Sequence, residues 1–170
     1  MIYIKMRNHI IIIASLLIYS CAGIPKYSFG EGEIPGQTFS IESFTNVASL
    51  INPNLAIVMQ NSLQEKFANE SNLKYTDGIG DAIFKGIITI YSITPVQGTG
   101  AETVALNRLK IGIKVTYTNS VNDSQNFDET IEFFDDFESA KDFSSIEDDL
   151  MESISEKLID EIYQRTMTEW

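Results

Sequence analysis

LKIGIKVTYTNSVNDSQNFDETIEF, residues 109–133, decides the fold. Leu109, Ile111, Ile113, Val115 and Tyr117 alternate with Lys110, Gly112, Lys114, Thr116 and Thr118, the period of a strand with one buried and one solvated face. Phe127, Ile131 and Phe133 alternate with Asp128, Thr130 and Glu132 and predict a second strand. The link between them, Asn119–Asn126, is rich in Asn, Asp and Ser, whose side chains bond nearby backbone and favour turns. Strands this close pair antiparallel, because a parallel return needs a crossover of about a dozen residues or more.

Working towards the N-terminus, AIFKGIITIYSITPV (82–96) is β-branched and apolar on both faces, as a central strand is, and Pro95 ends its ladder. Asp77-Gly78 marks a turn before it. Asn52-Pro53 has the residue types of an N-cap and a first-turn proline. Leu55, Val58, Met59, Leu63 and Phe67 follow at the three- to four-residue spacing of one helix face, predicting an amphipathic helix from 53 to about 70. QTFSIESF (37–44) alternates as a first strand. Towards the C-terminus, Ser144-Ser145-Ile146-Glu147 has a capping-box pattern, with Glu147, Asp148 and Asp149 in the first turn where the helix dipole favours acids. Ile146, Leu150, Ile154, Leu158 and Ile162 recur every four residues, and such a stripe drifts ~40° per step. A flat sheet cannot cover so much rotation, so the helix bends or its C-terminal half faces something else. The predicted order is β-α-β-β-β-α.

At 170 residues, 44% hydrophobic and 21% charged, the chain is one globular domain that can bury a core without disulfide or metal. Its net charge of −12 argues against a nucleic-acid-binding surface. The charge is uneven: residues 21–120 carry 8 acids and 7 bases, residues 121–170 carry 16 acids and 3 bases. The acid-rich third is a solvated face or a site for a basic or polar partner.

Lys5 and Arg7 precede an apolar run, residues 10–19, of the length of a signal-peptide core and too short to span a bilayer. It ends at Ile18-Tyr19-Ser20-Cys21, where the single cysteine of the chain sits. The spacing resembles a bacterial lipobox, in which the cysteine is diacylated and becomes the mature N-terminus; the alternative is an ordinary secretory signal with an incidental cysteine. Residues 1–20 are then the signal peptide, 21–36 a Gly- and Pro-rich lipidated tether, and 37–170 the folded domain. Loss of residues 1–20 removes His9, the single histidine, and leaves a net charge of −14. Without His, the Ser-His-acid, Cys-His and His-based zinc arrangements are unavailable. We expect no catalytic residue, no metal and no cofactor.

Four clusters are candidates for function. Gly98-Thr99-Gly100-Ala101-Glu102-Thr103 faintly resembles a dinucleotide fingerprint, but a strand follows where a helix is required, so a loop is the better reading. Asp135-Asp136 and Glu147-Asp148-Asp149 lack the spacing and glycine of a calcium loop and read as a solvated face and a helix start. Arg108, Lys110 and Lys114 share strand parity and form a basic stripe that suits the phosphates of an anionic lipid. The alternative is cross-strand pairing, with Lys114 opposite Asp128 and Lys110 opposite Glu132. Phe133, Phe134, Phe137 and Phe143 read as core and hinge packing or as a lipid-contacting rim, and Tyr163 and Trp170 as a partner contact or a docked terminus.

The Ser-Cys lipobox, Tyr27-Ser28-Phe29, the helix opened by Asn52-Pro53 and closed by Glu65-Lys66-Phe67, FKGIITIYSITPV (84–96), ETVALNRLKIGIKVTYTN (102–119), SSIEDDLMESISEKLIDEIYQR (144–165) and Trp170 occur in an order that resembles the LptE family, the lipopolysaccharide-assembly lipoproteins. The resemblance lies in order and spacing over nearly all of the mature chain, not in any one motif. It implies an α+β two-layer sandwich, a four-stranded and mainly antiparallel sheet with two helices on one face. It implies a lipoprotein held by its lipid anchor on the periplasmic side of the outer membrane. It also implies a partner, the large β-barrel LptD, that the protein plugs and helps to assemble, and possible contact with lipopolysaccharide. An acidic, polar surface suits a plug in a polar barrel lumen. The competing expectation is a periplasm-facing lipoprotein binding module for another envelope ligand or secretion pore.

Overall fold

The computed structural model describes residues 33–50, 52–96 and 105–167. The segment 1–20 read as a signal peptide, Cys21, the 98–103 glycine loop and Trp170 lie outside the described residues. The elements are β1 (Thr38–Ile41), β2 (Thr45–Asn46), α1 (Leu55–Glu70), β3 (Lys74–Tyr75), β4 (Ala82–Val96), β5 (Leu106–Asn119), β6 (Phe127–Glu138) and α2 (Glu147–Met167), with single 3-10 turns at Asp123–Gln125 and Phe143–Ser145.

The meander β4-β5-β6 is antiparallel as expected. The sheet as a whole is not the four-stranded, mainly antiparallel one. It has six strands and is mixed, in the order β3-β1-β4-β5-β6, with β2 also on β4. β1 and β2 pair with β4 in parallel, and β3 pairs with β1 in parallel. The reason is the 16-residue helix α1 between β1 and β4, a crossover long enough to bring the chain back in the same direction. β2 and β3 have two residues each, too few to leave a period in the sequence.

Strand β4 is central, and its apolar character on both faces has a cause. Pairing steps from Ile88↔Ile113 to Ile90↔Gly112, which leaves Thr89 as a bulge. Ala82, Phe84 and Ile88 face the core before it, and Tyr91 and Ile93 after it. A one-residue step inverts which parity is buried.

The helices lie on one face. Phe67 of α1 stacks on Phe84 of β4 and on Tyr163 of α2, with ring centroids 4.5 and 5.1 Å apart. The drifting stripe of α2 resolves here. Met151, Ser155, Ile159 and Tyr163 form a second row beside Ile154, Leu158 and Ile162, and all are buried. The sheet covers one row and α1 covers the flank of the other: Lys66 of α1 pairs with Asp160 at 2.9 Å, and the Tyr163 hydroxyl donates to the Glu70 carbonyl at 2.5 Å. Tyr163 is therefore a docking residue of the core.

Two expected caps differ. Asn52 does not cap α1 directly; its Oδ1 accepts from the Asn54 amide at 2.9 Å, and α1 begins at Leu55. The Ser144/Glu147 capping box is absent. Asp142 accepts from the Ser144 amide and hydroxyl and caps the 3-10 turn ahead of α2. Glu147 turns inward and accepts from Tyr91 Oη of β4 at 2.5 Å and from Asn52 Nδ2 at 2.8 Å.

Among the described residues, Ile34 is already part of the core, although it lies within the segment read as tether. Ile34 is buried and exchanges two backbone hydrogen bonds with the Asn72 amide side chain, at 3.1 and 2.9 Å.

Candidate functional site

The face of the sheet away from the helices carries the sequence-derived stripe. On β5 the odd residues Leu109 to Tyr117 are buried and the even residues point to this open face. Arg108, Lys110 and Lys114 are thus on one face, as their parity requires. Each is engaged by a carboxylate of β6. Arg108 makes two hydrogen bonds to Asp136, Nε at 2.7 Å and Nη2 at 2.9 Å, and its guanidinium lies 3.5 Å over the Phe134 ring. Lys110 meets Glu132 at 3.0 Å, and Lys114 meets Asp128 at 3.1 Å.

The two lysine pairs are those anticipated, the Arg108–Asp136 pair is additional, and the register differs from the one expected. Lys110 lies opposite Phe134 and Lys114 opposite Thr130, so both lysines reach diagonally to the acid two residues back. Arg108 does lie directly opposite Asp136. The bidentate guanidinium holds the Asp136 carboxyl below its usual range, and the carboxylate raises Arg108 in turn. Half-exposed lysine pairs of this type contribute ~0.2–1 kcal/mol each, so an incoming phosphate competes with weak partners.

Between the cations lies an apolar strip. Phe134 is 44% exposed, and Ile90 folds over Gly112, where an added Cβ would sit 3.0 Å from its Cδ1. The phenylalanine cluster is divided by strand parity. Phe134 faces outward under Arg108; Phe137 is buried and stacks on Phe143 at 5.6 Å; Phe133 is half-buried on the core side.

Two other acids of β6, Asp135 and Glu129, point to the helices. Asp135 accepts from Ser153 at 2.7 Å and pairs with Lys157, while Glu129 pairs with Arg165. The expectation that Asp135-Asp136 is no cation site agrees with this: the two carboxylates lie on opposite faces, each with a base. Among the described residues no group of His, Cys, Asp or Glu has the arrangement of a metal site, and no helix is long and apolar enough to cross a membrane.

Sequence reading missed a polar clamp at the end of the sheet where the chain enters. Asp81 Oδ2 accepts from the Gln37 amide, the Thr38 amide and Thr38 Oγ1 at 2.8, 3.1 and 3.1 Å, which lowers its carboxyl below the usual range. Asn119, buried at the end of β5, donates to the Pro35 carbonyl at 2.8 Å and accepts from the Val121 and Asn122 amides. The signal was present in the turn chemistry around Gly78, Gly80 and Asn119, but its partners lie about 40 residues or more away in the chain and leave no local pattern.

The sequence matches the model of the family described as LptE, lipopolysaccharide-assembly, over residues 36–166. No curated protein matches it. Among solved structures, lipoprotein B of Nitrosomonas europaea is similar with a TM-score of 0.53 at 12% identity, covering 85% of this chain and 91% of that one. A Xanthomonas campestris protein is similar with a TM-score of 0.52 at 8% identity, covering 84% and 89%. At such identities the likeness is one of fold.

Proposed function

This chain belongs to the LptE family of lipopolysaccharide-assembly proteins, and from that premise we propose that it is a lipid-anchored subunit of the outer-membrane lipopolysaccharide transport machinery, acting as plug and assembly factor of an LptD-type β-barrel. In this reading residues 1–20 are cleaved, Cys21 carries the acyl chains, and the segment to residue 36 links the anchor to the domain on the periplasmic side. Several acyl chains at ~0.8 kcal/mol per buried CH₂ hold such a protein firmly on a bilayer. The role is assembly and transport, with no chemical step assigned to any residue.

The observation that carries the reading is the family match, which spans every described strand and helix but the last residue of α2. The open sheet face supports it. A barrel lumen is polar, and a face whose cations are already neutralised can enter one without stranding a charge. The lipid contact we assign to Arg108, Lys110 and Lys114 works by exchange: a lipid phosphate displaces Asp136, Glu132 or Asp128. Phe134 and Ile90 offer apolar surface beside it.

The test is a mild-detergent pull-down of the tagged, acylated protein from native outer membranes, with stoichiometry by mass spectrometry. A large β-barrel recovered at about one to one is expected. Recovery of the lipoprotein alone would reduce the family likeness to a likeness of fold and leave a monomeric binding module.

A further inference from the structure

Two apolar side chains stand out from the end of the domain at which the chain enters. Ile79, in the loop between β3 and β4, is 92% exposed, and Val121, in the β5–β6 turn, is 59% exposed. A single exposed apolar residue needs no explanation. These two, however, are held together on rigid neighbouring loops. The Ser120 amide and hydroxyl donate to the Asp81 carbonyl at 2.8 and 3.2 Å, the Gly80 amide donates to Ser40 Oγ at 3.1 Å, and Asn119 fixes the Val121 amide. Gly80 permits this, since a Cβ there would lie 2.7 Å from the backbone of Phe39 and Ser40. The same Asp81 and Asn119 grip Gln37, Thr38 and Pro35. The clamp therefore joins the two apolar tips to Pro35, Gln37 and Thr38, where the chain leads into β1.

We infer that in the lipoprotein before it enters a barrel, Ile79 and Val121 form a membrane-resting tip that dips into the headgroup region of an electrically neutral bilayer, orienting the domain with its chain-entry end on the lipid. The inference rests on acylation at Cys21. Twelve residues, 22–33, join that cysteine to Ile34 and span at most about 40 Å, so the anchored chain keeps the entry end within reach of the leaflet. Charge selects the kind of surface. Asp77 and Asp123 flank the tips, and the mature chain carries −14, so an anionic leaflet repels this end while a zwitterionic one does not. The orientation leaves the far ends of α1 and α2, where Ile57 and Met151 lie, pointing away from the leaflet. Ile57 sits about 20 Å along α1 from Glu70 and the entry end.

The test uses the full mature chain, acylated at Cys21, in vesicles of phosphatidylcholine and phosphatidylethanolamine. Ile79→Cys, Val121→Cys and Ile57→Cys each carry an environment-sensitive fluorophore. Emission from positions 79 and 121 should shift to the blue and be quenched by lipids brominated near the headgroup, and emission from 57 should not. In the unacylated Cys21→Ala chain, Ile79→Ser with Val121→Ser should weaken vesicle binding about tenfold, and phosphatidylglycerol should weaken it further. The mass of the purified chain reports acylation separately, so a missing acyl group overturns the anchor alone. An acylated, membrane-bound chain whose labels at 79 and 121 behave like that at 57 overturns the tip. Protection of 79 and 121 only after a barrel is co-reconstituted also overturns it, by making the tip a protein contact.

Discussion

Replacing Glu147 with alanine should cost far more than the loss of one acidic residue from a very acidic helix start. Its carboxylate accepts from Tyr91 Oη at 2.5 Å and from Asn52 Nδ2 at 2.8 Å, joining the loop before α1, the central strand and the start of α2. Tyr91 is 3% exposed, so its hydroxyl is poorly placed to replace a lost acceptor with water. A buried donor left unsatisfied costs ~1–3 kcal/mol. Loss of the acid from the first turn of α2 adds ~0.3–1 kcal/mol. Glu147→Ala should therefore destabilise the chain by ~1–4 kcal/mol, whereas Glu147→Gln, which keeps an acceptor, should cost about half as much or less. Tyr91→Phe removes the donor, so in its background the alanine change should cost at least ~1 kcal/mol less. Urea unfolding of the Cys21→Ala chain, followed by far-ultraviolet circular dichroism, measures all four corners of the cycle. Strict additivity of Tyr91→Phe and Glu147→Ala would refute the bond and the argument built on it. Alkaline pH gives a second readout. Burial and the Glu147 carboxylate raise the Tyr91 hydroxyl above the ordinary phenol value, so the unfolded chain deprotonates first. Stability should then fall as pH rises past ~10, and less steeply in Tyr91→Phe than in the parent, because Tyr117, whose hydroxyl burial also raises, is still present.

Ser155 is buried in α2 and its hydroxyl finds no partner among the described residues, so Ser155→Ala should stabilise by ~1 kcal/mol, read from the urea midpoint. Phe67→Ala removes the ring that meets Phe39, Phe84 and Tyr163 and should cost ~3–5 kcal/mol by the same measurement. Arg108 holds the folded pKa of Asp136 below the usual carboxylate range, so the pair is fully formed above pH ~4 and is lost only as pH falls further, through that lowered value. Carboxyl resonances followed by NMR should show Asp136 titrating below the usual aspartate range, and Arg108→Gln should raise it towards that range. If the basic stripe takes a lipid phosphate by exchange, Asp136→Asn should tighten lipopolysaccharide binding in a fluorescence titration, and unchanged affinity would leave the stripe a purely structural ladder.

What could be read from the sequence was what repeats within a few residues. The alternation at 109–117 and 127–133 gave β5, β6 and the hairpin between them, because one buried face imposes a period of two. The spacing of Leu55, Met59, Leu63 and Phe67 gave α1 in the same way. What escaped was decided by partners far along the chain. Strands of two residues have no period, so β2 and β3 were invisible, and of the parallel half of the sheet only β1 left an alternation to read. The bulge at Thr89 looked like a strand apolar on both faces, because a parity change and a two-sided strand give the same composition. The missing capping box is the plainest case. Ser144 and Glu147 have the right spacing, yet Glu147 bonds Tyr91, 56 residues away, and a buried tyrosine outcompetes an exposed backbone amide.

The basic stripe shows how the same rule acts on a candidate site. Sequence alone presented residues 121–170 as an acidic block with 16 acids and 3 bases, set apart from a more balanced chain. In the fold β6 sorts that block by parity. Asp128, Glu132 and Asp136 meet Lys114, Lys110 and Arg108 on the open face, while Glu129 and Asp135 meet Arg165 and Lys157 on the helix face. The sheet thus becomes a ladder of near-neutral rungs, and the excess acid is left to other parts of the surface, the exposed side of α2 among them. A surface built this way does not attract a lipid phosphate from a distance. It can only trade one anion for another at contact range, which suits a subunit enclosed with its cargo better than one that gathers lipid from a membrane.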